Sequence, residues 1–285
     1  MQALANQVYI EEQYPGVTLG VIALAHGLIQ IDAPPAPEDA RSWRAALLNL
    51  NSGVERLLIN LDGHPDRALG ARAMECTIVA HERTAETFRN RPNTFKGQGE
   101  ETGADWESVT GLGSIRWAPP EISFTANLNI DWSSFPVRLE HHSGPTAGAT
   151  WVILPEPKII FIGDLVVLKQ PPFIASANLA DWIKSLNELL EKYADYTIVS
   201  GRGGVVTFSD AQDQLQFISN LHEQLEVISR KPNGLEAVDE LIPQLMAGIA
   251  TTAENQKQYT QRLAHGLRHY LVRHYRQGTI DESEE

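Results

Sequence analysis

Reactive side chains gather at the end of one apolar run. In Ile59-Asn60-Leu61-Asp62-Gly63-His64-Pro65-Asp66-Arg67-Ala68-Leu69-Gly70, two carboxylates, an imidazole and a guanidinium fall within six positions. Carboxylates and imidazole exchange protons, whereas a guanidinium only donates and pairs bidentately with a carboxylate. A strand end that leads into a loop and helix is where α/β folds place such groups. The plain alternative is capping, with Asp66 as the N-cap of the following helix. Other polar positions are Asp164 after Ile160-Phe161-Ile162-Gly163, the pair His141-His142, and Gly201-Arg202-Gly203-Gly204. Strand alternation turns at most one of the two histidines toward a pocket. The glycine run lacks the spacing and Lys-Ser/Thr ending of a phosphate-binding loop and reads as a tight turn.

Composition limits what these groups can do. Lys and Arg number 23 against 36 Asp and Glu, a net charge of −13 that would be repelled by nucleic acid or an anionic membrane. Cys76 is the single cysteine, so no internal disulfide or Cys-rich zinc cage can form, and metal chemistry would fall to histidine and carboxylates. No apolar run reaches the roughly 18 to 20 residues of a membrane span, and the N-terminal residues lack the pattern of a signal peptide. A cytoplasmic location is expected.

The elements that must position these residues change in style near residue 208. Before it, β-rich runs alternate with helical ones. Val17 to Leu24 and Leu28 to Ile31 read as a hairpin, while Leu57 to Asn60 and Thr77 to Ala80 read as buried strands. Pro37-Glu38-Asp39 opens a helix with Trp43, Ala46, Leu47 and Leu50 on its apolar face, and Glu82 to Asn90 forms a shorter one. Residues 91 to 120 read as a long irregular surface insertion of the kind that covers sites. Thr150 to Leu154 and Lys158 to Asp164 form a second hairpin, Asn178 caps a helix, and Thr197 to Val199 is the next strand. After Phe208 the pattern is helical, with capping boxes at Ser209-x-x-Gln212 and Thr251-x-x-Glu254. The last helix has a stripe of Leu263, Leu267, Tyr270 and Leu271, while Lys257, Arg262, Arg268, Arg273 and Arg276 with His265, His269 and His274 read as a solvated basic face. Two units follow, residues 1–207 and a C-terminal helical extension, 208–285.

The order strand, Asp62-x-His64-x-Asp66-Arg67, helix resembles the metallo-β-lactamase superfamily, whose signature at this place is His-x-His-x-Asp-His. Further segments resemble that family in the same order: Gly20-Val21-Ile22 with Ile31-Asp32, Leu139 to Thr150, Ile160 to Leu165, and Ile198-Val199-Ser200-Gly201-Arg202-Gly203. Together they cover about residues 7 to 207. The resemblance implies an α/β fold, a four-layer αβ/βα sandwich, and a centre in which two metal ions polarise a shared water.

Carried over position by position, the resemblance puts a first ion at Asp62, His64 and Pro145, where Gly144-Pro145-Thr146 stands for the family's Gly-His-Thr. It puts a second at Asp66, Arg67 and Arg202, with Asp164 bridging. Arginine has no lone pair to give a metal. We therefore expect a depleted centre in which Arg67 and Arg202 pair with Asp66 and Asp164 where the second ion would sit, no cofactor, and a protein that is non-catalytic or altered in chemistry. Its expected partner is a small molecule, anionic if the arginines are free to meet it, and a homodimer is compatible with the last helix. The alternative is a metal-dependent hydrolase with one zinc, iron or manganese ion on Asp62, His64 and Asp164, completed by His142 or His141. In it Asp66 or Asp164 serves as the catalytic proton acceptor, and the substrate range is ester, thioester, lactam or phosphoester.

Overall fold

Alternating side chains sort the strands onto two sheets, and each sheet buries both faces. A computed structural model describes residues 1–97, 102–132, 135–232 and 234–275. The first sheet holds β1 (Gln2–Ala5), β2 (Val8–Glu11), β3 (Leu19–Ala23), β4 (Gly27–Ile31), β5 (Glu55–Ile59), β6 (Thr77–His81) and β7 (Ile122–Phe124), in sequence order. The pairs from β4 to β7 are parallel and the earlier ones antiparallel. The second sheet holds β8 (Asn127–Ile130), β9 (Val137–His141), β10 (Thr150–Leu154), β11 (Ile159–Phe161), β12 (Thr197–Ser200) and β13 (Gly204–Val206). Its order is β13-β12-β11-β10-β9-β8, with β11 and β12 its one parallel pair among the described residues.

The helices are α1 (Pro37–Leu47), α2 (Pro65–Ala68), α3 (Glu82–Asn90), α4 (Leu179–Lys192), α5 (Phe208–Ser229), α6 (Gly234–Asp239), α7 (Ile242–Ala247) and α8 (Ala253–Tyr275). Ile59, Val152, Leu154 and Phe161 point between the sheets into the central core. Their neighbours Leu58, Trp151 and Ile153 point outward, Leu58 toward Trp43 of α1 and the other two toward Trp182 of α4. The result is the expected four-layer αβ/βα sandwich.

The helices after residue 207 share the outer core of the second sheet. Ile218, Leu221 and Leu225 of α5 and Leu263, Leu267 and Leu271 of α8 are fully buried in one cluster with Trp151, Ile160 and Trp182. At about 1.5–3 kcal/mol for each buried leucine, α8 is strongly fastened to the sandwich. The apolar stripe of the last helix therefore packs within the chain.

Several boundaries differ from expectation. Helix α5 is capped by Thr207, whose hydroxyl accepts the Asp210 N–H (3.2 Å) while the Asp210 carboxylate accepts the Thr207 N–H (2.7 Å), so the capping box begins two residues before Ser209. In the last helix Asn255 accepts from the Thr252 N–H (2.9 Å), one position beyond the predicted box, and Arg276 lies outside the described residues. The turn at the glycine run is shorter than predicted, because Gly204 already pairs with Ser200 in the β12–β13 hairpin. The stretch 91 to 120 carries a 3₁₀ turn at Asp105–Ser108 and a small core of Phe95, Leu112, Ile115 and Trp117.

Candidate functional site

Four strands of the two sheets deliver their C-terminal ends to one edge of the sandwich. Asp32 follows β4, the Asp62–Arg67 segment follows β5, Asp164 follows β11, and Arg202 follows β12. Backbone bonds hold these exits together. The Asp32 N–H donates to Ile59 O (2.9 Å), Ala33 N–H to Arg67 O (3.0 Å), and Gly201 N–H to Gly163 O (2.7 Å). Asp32 itself stands at φ +59°, a left-handed conformation that Asp tolerates better than most residues. That geometry lets its Oδ1 accept the Leu61 N–H at 2.9 Å.

Two arginines fill the space among the carboxylates. Arg67 Nη2 donates to Asp164 Oδ1, Nη1 lies 3.4 Å from Asp32 Oδ2, and Nε lies 3.3 Å from Asp62 Oδ1. Arg202 donates from Nε to Asp164 Oδ2 at 3.0 Å and from Nη1 to Asp66 Oδ2 at 2.7 Å. Both oxygens of Asp164 are thus taken by guanidinium groups. The second oxygen of Asp66 accepts the Trp106 N–H at 2.6 Å. Asp32, Asp62, Asp66, Arg67, Asp164 and Arg202 are all buried. Unpaired, any one of these charges would cost several kcal/mol at such depth, so the pairing is what permits the burial.

His64, and not Asp66, is the N-cap of α2. Its Nδ1 accepts the Asp66 N–H at 3.3 Å and stands 3.0 Å from Arg202 Nη2. Since a guanidinium only donates, Nδ1 carries the lone pair and the proton sits on Nε2, a tautomer inferred from the network. Burial and the nearby Arg202 charge keep the imidazole neutral, well below its usual pKa. Burial also raises Asp66 and Asp62 against the pull of Arg202 and Arg67, and pushes Asp32 up to about 7. Asp164 goes the other way: burial opposes its charge, yet Arg202 and Arg67 hold it below the usual carboxylate range.

The network continues into two segments from which no individual site residue was expected. Asp105, in the 3₁₀ turn, receives Arg202 Nη1 and Arg262 Nη2, each at 3.2 Å. Arg262, expected on a solvated face, is 1% exposed and also donates to Gly103 O (2.8 Å), Gln170 Oε1 (2.6 Å) and Pro171 O (3.2 Å). Phe173 lies under both guanidinium groups, 4.5 Å from Arg202 Cζ and 4.1 Å from Arg262 Cζ, with the His64 ring 4.4 Å away. The signal available in the sequence was spacing, since Arg262 lines up with Gly266 and Tyr270 at i, i+4, i+8 on the buried side of α8.

His142 is not brought to this cluster. Its ring stacks on Trp151 at 3.6 Å, on the outer face of the second sheet, with nitrogens 3.4 Å from Glu140 and 3.6 Å from Glu188. As the pair of strand β9 and its continuation requires, His141 turns the other way; it stacks on His81 at 3.7 Å and reaches Ala147 O. Neither completes a ligand set with Asp62, His64 and Asp164. Among the described residues no group of three or more His, Cys, Asp or Glu is arranged to hold a metal ion. The donor chemistry agrees: both oxygens of Asp164 are held by guanidinium groups, His64 Nδ1 is engaged, and Arg67, Arg202 and Pro145 have no side-chain lone pair to give a metal. These residues do not fit the two-metal centre that the fold otherwise implies.

The sequence matches no family model and no curated protein. Solved structures do resemble it. A metallo-β-lactamase from Pontibacter korlensis matches with a TM-score of 0.61 at 20% identity over 77% of this chain and 98% of its own. DIM-1 metallo-β-lactamase matches at 0.58 and 13% identity, over 77% and 96%. The inverting sec-alkylsulfatase Pisa1 from Pseudomonas sp. matches at 0.60 and 14% identity, covering 95% of this chain, which spans about half (49%) of the sulfatase. The chain therefore has the metallo-β-lactamase fold, and the sulfatase likeness extends into the helices after residue 207. No helix among the described residues is long and apolar enough to cross a membrane.

Proposed function

We propose that this chain is a metal-free, non-hydrolytic protein of metallo-β-lactamase fold, which binds a small molecule without cleaving it. One observation carries the reading: Asp164, at the position of the family's bridging ligand, gives one oxygen to Arg67 and the other to Arg202. The two guanidinium groups supply the positive charge that two cations supply elsewhere in the fold. To seat an ion, a buried guanidinium held by several carboxylates would have to be displaced and lose its partners at depth. The same pairing opposes general-base action, because both oxygens of Asp66 and of Asp164 already accept hydrogen bonds.

Elemental analysis of protein purified without chelator tests this reading. Less than about a tenth of an equivalent of zinc, iron or manganese is expected. Metal close to one equivalent, lost in His64→Ala, supports the single-ion hydrolase instead.

A further inference from the structure

Within the cluster Asp105 differs from the other carboxylates. Asp32, Asp62, Asp66 and Asp164 are delivered by strand ends and sealed at depth, whereas the Asp105 side chain is 23% exposed and arrives on a turn from outside the sandwich. Its Oδ2 lies between Arg202 Nη1 and Arg262 Nη2 at 3.2 Å from each, and its Oδ1 accepts from Gln258 Nε2 at 3.2 Å. Two buried guanidinium groups converge on one oxyanion over the Phe173 ring, and this is the arrangement by which proteins hold a carboxylate, sulfate or phosphate group. Gln258 and Arg262 also both bond Gly103 O, so α8 holds the turn by its backbone as well as by Asp105.

We propose that the Arg202–Arg262 pair is a binding site for the oxyanion group of a small ligand, and that Asp105 occupies it as an internal competitor. The proposal rests on the non-hydrolytic reading above and names the place and class of the ligand. An attached carboxylate acts at an effective concentration of millimolar or more, so an outside anion enters only by displacing it. Swinging Asp105 away leaves Arg202 still paired with Asp66 and Asp164, while Arg262 keeps Gln170, Gly103 and Pro171. The site can therefore exchange one anion for another without collapse of the deeper network.

Calorimetric titration of inorganic phosphate, sulfate and acetate into the full chain tests this. Asp105→Asn, which keeps the side-chain shape and removes the competing charge, is expected to bind at least one of the three about tenfold or more tightly than wild type, and adding Arg262→Gln is expected to abolish the gain. Equal affinities of wild type and Asp105→Asn for all three anions, or a gain that survives Arg262→Gln, would overturn the proposal. Should Asp105→Asn fail to fold, Gln258→Ala loosens the competitor without touching either arginine; tighter binding supports the site and unchanged binding refutes it. Metal content is measured on the same preparations. A metal-free protein with no anion gain sinks this inference alone, whereas a metal-loaded protein sinks the reading beneath it.

Discussion

Arg202 Nη1 lies 2.7 Å from Asp66 Oδ2, a contact between side chains 136 positions apart and both buried. It joins the end of the first sheet to the end of the second. Arg202→Ala leaves Asp66 short of a charge partner and Asp164 with one arginine, and is expected to destabilise the fold by about 3–5 kcal/mol. Arg202→Lys should recover less than half of that loss, because one ammonium cannot reproduce the planar fork that serves Asp164, Asp66 and Asp105 together. Urea unfolding of the two variants and wild type measures both numbers.

Asp32 gives the fold a particular pH dependence. Its carboxyl is pushed up to about 7 by burial, against the pull of Arg67. A carboxyl raised above its unfolded value of about 3.9 holds its proton more tightly in the folded chain. The stability it contributes is full below about pH 4 and is lost as the pH rises toward 7. Asp32→Asn keeps an acceptor for the Leu61 N–H and a residue suited to positive φ, yet cannot ionise. Relative to wild type, the variant should gain stability steadily from pH 4.5 to 7.5, by on the order of 2–4 kcal/mol. Parallel profiles in that window would contradict the assignment.

Gly201 is required by the close approach of Arg67. A Cβ there would lie 2.8 Å from Arg67 Nη1 and 3.0 Å from both Nη2 and the Gly163 carbonyl carbon. An ordinary arginine tip would move aside, but this one is held by Asp32, Asp62 and Asp164. Gly201→Ala should cost about 1–3 kcal/mol by overpacking. Gly113→Ala, where the added carbon meets nothing within 4 Å, is the control and should fall within about 0.5 kcal/mol of wild type.

The helices after residue 207 are expected to unfold with the sandwich. Leu267 of α8 is fully exposed to the core that holds Trp151 and Trp182 and not at all to solvent. Leu267→Ala should lower the stability of the whole chain by about 2–5 kcal/mol, with circular dichroism and tryptophan fluorescence reporting one shared transition. A variant that lost helix at a lower temperature than it lost tryptophan burial would show a separable extension.

How far the sequence could be read depended on the range of the interactions involved. Asp62, His64, Asp66 and Arg67 lie close together along the chain, and the order of strand-end motifs pointed to Asp164 and Arg202. Local rules also placed the two hairpins and the helix after Asn178, because period and capping act within a few residues. Asp32 was visible only as the end of a hairpin; its role depends on a left-handed backbone and on Arg67, 35 positions away. Asp105 lay in a stretch without periodicity. Arg262 looked solvated by charge alone, since its partners Gly103, Asp105 and Gln170 are more than 90 positions distant. His142 had the right residue type and the wrong side of the sheet, decided by one step of strand alternation.

Crystals grown with excess zinc and measured at the zinc absorption edge test the metal-free reading at the cluster itself. Arg67 and Arg202 are expected seated on the two oxygens of Asp164, with no anomalous peak among Asp62, His64, Asp66 and Asp164. A peak within about 2.0–2.2 Å of His64 and Asp164, with either arginine turned away, would contradict it.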